Sequence, residues 1–212
     1  MVKQGFKNLT SEEQDQVLEA AIDEFSEHDF ESASLNQIIQ NAGISKGSMY
    51  HYFQNKESLY ICIIEKAITE KKRFMLETLE SQKVSLDELG FFELIASQLE
   101  LSILFGQANP RYHKISLYLH NMEDTPLKEK IWGRFDSEFD DLLEAMVTKA
   151  IELREISSTL DKEFVMRVLR FVLLRFSDFD SQYRGLIFKD AQEIKKEVNQ
   201  LVDFLRHGLA VK

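Results

Sequence analysis

The sequence predicts an all-α protein of about nine helices, counted from its capping signals and its helical apolar spacing. The 212 residues include only two prolines and eight glycines, so few positions interrupt a helix. No long segment alternates apolar and polar residues as an exposed strand would. An apolar fraction of 44% is enough to fill a core and argues against disorder.

The first long helix is predicted to begin at a capping box and to run to about His28. In Thr10-Ser11-Glu12-Glu13 the hydroxyl of Thr10 and the carboxylate of Glu13 can satisfy amides at a helix start. Ser34 with Gln37 forms a second box of this kind. The remaining starts are predicted at Ser45, Asn55, Ser85, Pro110, Thr125-Pro126, Leu160-Asp161 and Asp190.

Two domains are predicted, residues 1–75 and residues 76–212. The chain has no repeats and no low-complexity linker, so the boundary is expected inside a continuous helix near residues 70–80. One cysteine, no apolar signal segment and no apolar run of about 18 residues predict a cytoplasmic protein without disulfides.

Charge is distributed unevenly along the chain. The formal net charge is −10, which at first argues against a nucleic-acid partner. However, residues 32–56 contain no Asp or Glu, whereas the chain average predicts about four. Glu31 and Glu57 border this acid-free segment. A polyanionic partner is the simplest reason for excluding acids there.

The acid-free segment has the pattern of a helix-turn-helix. A short helix is predicted to end at Gly43, which can adopt the left-handed conformation that stops a helix. Ile44 is expected between the two helices, and Ser45 is expected to cap the second one. Met49 and Phe53, four residues apart, are predicted to face the core. Lys46, Ser48, Tyr50, His51 and Tyr52 then remain outside, and the bare backbone of Gly47 allows close approach to a phosphate.

Residues 11–60 resemble the TetR family of bacterial transcriptional regulators. The resemblance includes the aromatic cluster Tyr50-His51-Tyr52-Phe53 and the following Asn55-Lys56-Glu57-Ser58-Leu59. It implies a two-domain homodimeric repressor of bacterial origin, whose N-terminal helix-turn-helix binds operator DNA. It also implies a C-terminal domain that binds a small effector and thereby releases the DNA.

The resemblance assigns roles to particular residues of the segment. It places Lys46, Gly47, Ser48 and His51 near bases, and Tyr50, Tyr52 and Lys56 at phosphates. Ser34 and Ser45 cap helices and also reach phosphate, and Gln37 completes the predicted set of DNA-binding residues. Three alternatives stay open: Tyr50 and Tyr52 are partly core, Gln37 serves only its capping box, and His51 is a surface residue without a role in DNA binding.

Two features depart from the family pattern. Many members have Gly just after the first helix, where this chain has Asp29. Asp is expected to tolerate the left-handed conformation there. The first helix is acidic, which should weaken non-specific binding to DNA.

The C-terminal half is rich in aromatic residues, which usually form core. An effector pocket is predicted among its helices, lined by Tyr112, His113, Tyr118, His120, Trp132, Phe135 and Phe139. No metal site and no cofactor are predicted, because two histidines are too few ligands. Arg175, in an apolar run, is expected to pair with Asp178 or an acid across the dimer, or to neutralise an anionic effector.

Homodimerisation is predicted through two C-terminal helices at about residues 160–179 and 190–209. The first carries two apolar stripes, one with Phe164 and Phe171 and the other with Val165 and Leu169, and a single core covers only one. The second helix carries a single apolar seam. Four such helices are expected to form a bundle around a two-fold axis.

Enzymatic activity is not expected, because no HExxH, GxGxxG, P-loop or Ser-His-Asp pattern occurs. The alternative to an effector-released repressor is a DNA-binding protein of the same fold without a small-molecule effector. The identity of the effector, the operator and the sign of regulation do not follow from the sequence.

Overall fold

The computed structural model describes residues 2–85, 88–176 and 189–210, without the side chains of residues 136–138. Within these residues the chain forms ten α-helices and no β-strand longer than an isolated bridge. The helices are α1 (Gln4–Lys7), α2 (Ser11–Glu27), α3 (Leu35–Asn41), α4 (Lys46–Tyr52), α5 (Lys56–Gln82), α6 (Phe91–Ala108), α7 (Pro110–Asn121), α8 (Pro126–Glu152), α9 (Lys162–Arg175) and α10 (Ala191–Leu209).

The all-α prediction is confirmed, whereas the count of about nine helices was too low. The additional helix is α1, a single turn of four residues. One turn is too short to show apolar periodicity, so the sequence pattern does not reveal it. A second difference concerns α6, which begins at Phe91 rather than near Ser85.

Most predicted helix starts are confirmed by hydrogen bonds between neighbouring residues. Thr10 and Asp190 each form a complete capping box with the Glu three residues later. Ser45 and Asp161 accept from backbone amides at the starts of α4 and α9. Pro110 lies at the first turn of α7, where its missing N–H has no consequence.

Asp29 does not adopt the left-handed conformation expected of it. Lys83 and Arg154 are the non-glycine residues with positive φ in the described part of the chain. The Asp29 carboxylate instead accepts a 2.8 Å hydrogen bond from Ser32 N, which lowers the pKa of this side chain. Asp29 therefore organises the turn between α2 and α3 through its side chain.

The contacts divide the chain into two compact units. The first extends to Lys72 and also includes Asn109–Trp132. The second consists of Arg73–Ala108 together with the described residues from Gly133 onward. The predicted assignment of effector binding to residues 76–212 stays a prediction, and α7 groups with the N-terminal residues.

In the second unit, α6, α8, α9 and α10 build the core. The seam of α10 that was predicted to contribute to the dimer is buried inside this unit, with Val198 fully enclosed and Ile194 at 2% exposure. The two stripes of α9 separate as expected: Val165 and Leu169 are fully buried. Phe164 on the other stripe is 51% exposed and Phe171 is 69% exposed.

Arg175 is half-buried at the end of α9, and its predicted partner Asp178 lies outside the described residues. Residues 177–179 of the predicted dimer segment also lie outside them. Among the helices that the structure describes, none is long and apolar enough to cross a bilayer.

Candidate nucleic-acid interface

The turn between α3 and α4 is held in the geometry that the sequence predicts. Gly43 has φ of +61°, a conformation that side-chain-bearing residues rarely adopt. Gln16 of α2 donates a 3.1 Å hydrogen bond to the carbonyl of Ala42, which ends α3 against α2. Met49 and Phe53 are each 1% exposed. These two anchors fix which face of α4 is turned to solvent.

The solvent face of α4 carries the side chains predicted to read DNA. Lys46, Gly47 and His51 are exposed, and Tyr50 is 44% exposed. This exposure makes them available to a ligand in solution.

Two further residues of α4 lie partly inside the first unit. Ser48 and Tyr52 are half-buried. The hydroxyls of Ser45 and Ser48 lie 2.9 Å apart, and Ser48 N donates to Ser45 Oγ at 3.0 Å. The helix start is therefore already satisfied by its own cap. Tyr52 is partly core, as the alternative interpretation has it, since its ring is 6.0 Å from Phe6 in an edge-on contact. Its contact with phosphate stays a prediction.

The start of α3 differs from the predicted capping box. Ser34 Oγ accepts from Gln37 N at 3.2 Å, so the cap itself is present. The reciprocal bond, in which Ser34 N would donate to the Gln37 side chain, is absent, because Ser34 N donates to the buried carboxylate of Glu24 at 2.6 Å. The Gln37 side chain donates instead to Asn41 Oδ1 at 2.9 Å on the exposed face of α3. The predicted capping box was therefore wrong in its second bond: Ser34 caps α3, but the Gln37 side chain does not accept from Ser34 N.

Lys56 has a second set of contacts that the sequence did not predict. Its ammonium donates to the carbonyls of Glu31 at 3.1 Å and Ala33 at 3.0 Å. It also lies 4.7 Å from the centre of the Phe30 ring. Lys56 thus closes the turn between α2 and α3 from the first residue of α5, and its contact with phosphate stays a prediction.

Sequence reasoning missed the N-terminal residues that contact α4. Lys3 N donates to the carbonyl of Tyr52 at 2.9 Å, and Lys3 Nζ donates to the carbonyl of Tyr50 at 2.7 Å. These contacts join residues 47 to 49 positions apart, so no local pattern signals them. The only available signal was the Lys-rich composition before Thr10, with Lys3 and Lys7 and no acid.

The predicted effector residues are divided between the two units. Tyr112, His113, Tyr118 and His120 lie on α7, and all four are half-buried. Trp132, on α8, has its ring centre 5.5 Å from that of His120 within the first unit.

The other two predicted effector residues belong to the second unit. Phe135 and Phe139 lie further along α8, where the guanidinium of Arg170 is 5.9 Å from the Phe139 ring. Their participation in an effector site, together with the residues of α7, stays a prediction.

Tyr112 lines a polar cleft of about 380 Å³ in the first unit. Burial raises the pKa of Tyr112 to about 12. The other lining residues are Asp15, Glu19, Lys66, Glu70, Asn109 and Arg111. This lining is mainly charged, and the described residues contain no cluster of three or more metal-ligating side chains.

Arg111 links α7 to α2 and was not singled out from the sequence. Its guanidinium lies 2.8 Å from the Glu19 carboxylate and 2.6 Å from that of Asp23. The two carboxylates are four residues apart and so lie on one face of α2. Tyr118 donates to the Glu27 carbonyl at 3.4 Å further along the same pair of helices.

The sequence is similar to known bacterial regulatory proteins. The family model for bacterial regulatory proteins of the tetR family matches residues 17–62, which contain α3 and α4. The fatty acid metabolism regulator protein of Bacillus subtilis (strain 168) is 23% identical over 159 residues, covering 73% of this chain and 76% of that protein.

Solved structures share the fold over most of the chain. A TetR family transcriptional regulator from Chloroflexus aurantiacus superposes with a TM-score of 0.71 at 24% identity, covering 100% of both chains. FadR from Bacillus subtilis, solved in complex with stearoyl-CoA, has a TM-score of 0.66 at 19% identity. That comparison covers 86% of this chain and 96% of the other.

Proposed function

This chain belongs to the TetR family of bacterial transcriptional regulators, and on that premise we propose that it is a repressor released from its operator by a small-molecule effector. It binds a palindromic operator as a homodimer. Each protomer places the start of α4 in the major groove, which is the docking geometry of a helix-turn-helix.

One observation carries the DNA-binding part of the proposal. The exposed start of α4, with Lys46 and Gly47, lies within residues 32–56, which contain no Asp or Glu in a chain of net charge −10. Asp and Glu make up 36 of the 212 residues, so their exclusion from the segment that contains α4 matches a surface that meets phosphates. The exposed His51 one turn later supplies a side chain that can hydrogen-bond to a base edge.

Exposed aromatic residues on α9 and α10 support a homodimer. Phe164 and Phe171 lie seven residues apart and therefore on one face of α9, and Phe204 of α10 is 76% exposed. An exposed apolar stripe along one helix face is the kind of surface that a second subunit can cover. A stable dimer should bury about 1,200 Å² or more in total, and it sets half-sites about one helical turn apart.

For the effector, we propose a long-chain acyl-CoA as the class to test first. FadR from Bacillus subtilis was solved with stearoyl-CoA, and its chain aligns with 86% of this one. The aromatic side chains of α7 and α8, with Trp132 among them, are suited to an apolar chain.

The DNA-binding proposal is tested by incubating the purified protein with fragments of its source genome and sequencing what it retains. A palindromic sequence should be enriched, and the Lys46→Ala variant should lose the enrichment. Lys149→Ala removes the same charge from an exposed position on α8 and serves as the control. No enriched sequence with wild-type protein would contradict the proposed function.

The effector proposal is then tested by release of the identified operator. Stearoyl-CoA and palmitoyl-CoA should dissociate the complex, whereas free CoA should not. Release by extracts of the source cells but not by acyl-CoA would reject this effector class. If neither releases the operator, the alternative of a DNA-binding protein without an effector is favoured.

A further inference from the structure

The N-terminal turn, residues 2–9 with α1 at its centre, is docked on the recognition helix α4. Its backbone joins α4 through the bond from Lys3 N to the Tyr52 carbonyl and through an antiparallel bridge between Val2 and Phe53. Phe6 is 4% exposed, and its ring centre lies 4.8 Å from that of Phe53. The turn is therefore packed into the helix-turn-helix unit.

Lys3 also supplies donors to the last turn of α4. Carbonyls in the last turn of a helix have no partner within the helix. The ammonium of Lys3 lies 2.7 Å from the carbonyl of Tyr50, and its backbone amide takes the carbonyl of Tyr52. The turn thus fixes the C-terminal half of α4, on which His51 stands.

Gly5 lies directly against the imidazole of His51. A Cβ built on Gly5 would be 2.3 Å from Cδ2 and 2.4 Å from Nε2 of that ring. Real Cβ atoms do not approach other atoms so closely, so any other residue at position 5 must displace the imidazole. One ring edge, Cδ2–Nε2, therefore lies against the N-terminal turn.

The close approach of the His51 ring explains why position 5 is a glycine, whereas an unusual backbone conformation does not. Within the described residues, Gly43 is the glycine with positive φ, and Gly5 lies in a helical turn with ordinary dihedral angles. A glycine inside a helix is less favourable than alanine. What Gly5 provides is the missing side chain, which leaves room for the ring of His51.

We propose that the N-terminal turn is a working part of the DNA-reading surface, and that Gly5 is a positioning residue that holds the His51 imidazole in one orientation for base recognition. The proposal rests on the proposed function, since it assigns a cause to sequence specificity. A fixed ring avoids the loss of side-chain freedom on binding that a mobile exposed ring incurs. Exposure of His51 to solvent keeps the ring accessible to DNA.

The test compares Gly5→Ala, His51→Ala and the double variant on the identified operator and on operators with single base substitutions. Gly5→Ala should reduce the ratio of operator affinity to substituted-operator affinity on the order of tenfold at the position that His51 reads. His51→Ala should reduce the same ratio, and the double variant should lose no more than the larger single effect, because both act through one ring. Affinity for unrelated DNA should stay within about twofold.

Gly133→Ala is the matched control, because a Cβ at that helical glycine meets nothing within 4 Å. It should leave the specificity ratio unchanged. The side-chain 15N–1H NMR signals of His51 should shift in free Gly5→Ala protein and not in the control. Both measurements distinguish a displaced ring from general loss of stability.

A second variant, Phe6→Leu, keeps Gly5 but loosens the turn from Phe53, and it should lower the specificity ratio in the same direction. An unchanged ratio in both Gly5→Ala and Phe6→Leu would overturn the proposal, as would independent, additive effects of Gly5→Ala and His51→Ala. If the wild-type protein selects no operator at all, the proposed function fails, and the role of Gly5 fails with it.

Discussion

The guanidinium of Arg111 lies 2.6 Å from the carboxylate of Asp23 and joins α7 to the helix on which the helix-turn-helix packs. The same guanidinium contacts Glu19 one turn earlier on α2. A group held by two carboxylates resists sliding of α7 along α2. This ion-pair bridge is therefore suited to transmit a displacement of α7 to the DNA-binding helices.

We expect Arg111→Ala to separate effector binding from release of DNA. All three side chains are partly exposed, so the free energy of unfolding should fall by only about 0–1 kcal/mol. Operator affinity without effector should stay within a few-fold. The effector concentration for half-release should rise several-fold, measured by fluorescence anisotropy of labelled operator.

Arg73→Ala provides the control for this expectation. It removes an exposed ion pair with Glu77 that lies within the single helix α5. Release curves that coincide for Arg111→Ala and wild-type protein would argue against a transmitting role for the bridge.

The two lysines of the helix-turn-helix should behave differently on substitution. Lys46 is exposed at the first position of α4, and removing it should reduce the slope of log affinity against log salt by about one. Lys56 holds two carbonyls of the turn before α3, so Lys56→Ala should chiefly lower the melting temperature. Binding at several salt concentrations and thermal unfolding of both variants separate these effects. Equal melting temperatures for the two variants would count against the structural role of Lys56.

Lys71 should make the free energy of unfolding increase with pH in the alkaline range. It is half-buried on α5, and desolvation lowers its pKa to about 8, whereas in the unfolded chain a lysine has a pKa of about 10.4. Between these values the unfolded chain binds more protons, so the free energy of unfolding rises with pH. Below about pH 8 both states are protonated and this contribution to the slope vanishes.

The variant Lys71→Met should remove that rise and increase the free energy of unfolding at neutral pH. Urea unfolding at a series of pH values from 7 to 10.5 measures both effects. Lys114→Met, at an exposed position of α7, corrects for the other groups that titrate in this range. A slope for Lys71→Met that matches the slope of wild-type protein would contradict the assignment.

The exposed aromatic residues of α9 and α10 should control oligomeric state. Phe171→Asp and Phe204→Asp each place a charge where the proposed dimer is apolar, and should yield monomers at micromolar concentration. Operator binding should then weaken strongly, because two tethered reading heads gain from effective concentration. Sedimentation velocity measures the state.

Leu153→Asp is the control for the dimer variants, since Leu153 is 60% exposed and lies outside α9 and α10. It should leave the sedimentation coefficient unchanged. A monomeric wild-type protein that still binds a palindrome tightly would refute the proposed arrangement.

Features set by neighbouring residues could be predicted from the sequence. The caps at Thr10, Ser45 and Asp190 are bonds between residues two or three positions apart, so the residue types themselves indicate them. The same holds for the stop at Gly43, which depends on one residue's conformation. The solvent face of α4 followed from the spacing of Met49 and Phe53.

Features that depend on distant partners could not be predicted. Periodicity indicates that a face of α10 is buried, but the same pattern fits burial against α6 of its own chain or against another subunit. The ammonium of Lys56 donates to the carbonyls of Ala33 and Glu31, which lie 23 and 25 positions earlier. A single lysine after Asn55 does not indicate these partners in the sequence. The need for glycine at position 5 likewise depends on the ring of His51, which lies 46 positions later in the chain.

The absence of acids from residues 32–56, in a chain of negative net charge, has a consequence for how the regulator searches a genome. Chromosomal DNA offers about 10⁶–10⁹ competing sites, and a strongly basic protein is sequestered on them. A chain of net charge −10 is repelled at long range and adheres only where its small reading surface fits. Few molecules should then be trapped away from the operator, so a small cellular pool can keep one promoter occupied. Replacing acidic residues of α2 by lysine should therefore slow the return of repression in cells at an equal number of protein molecules.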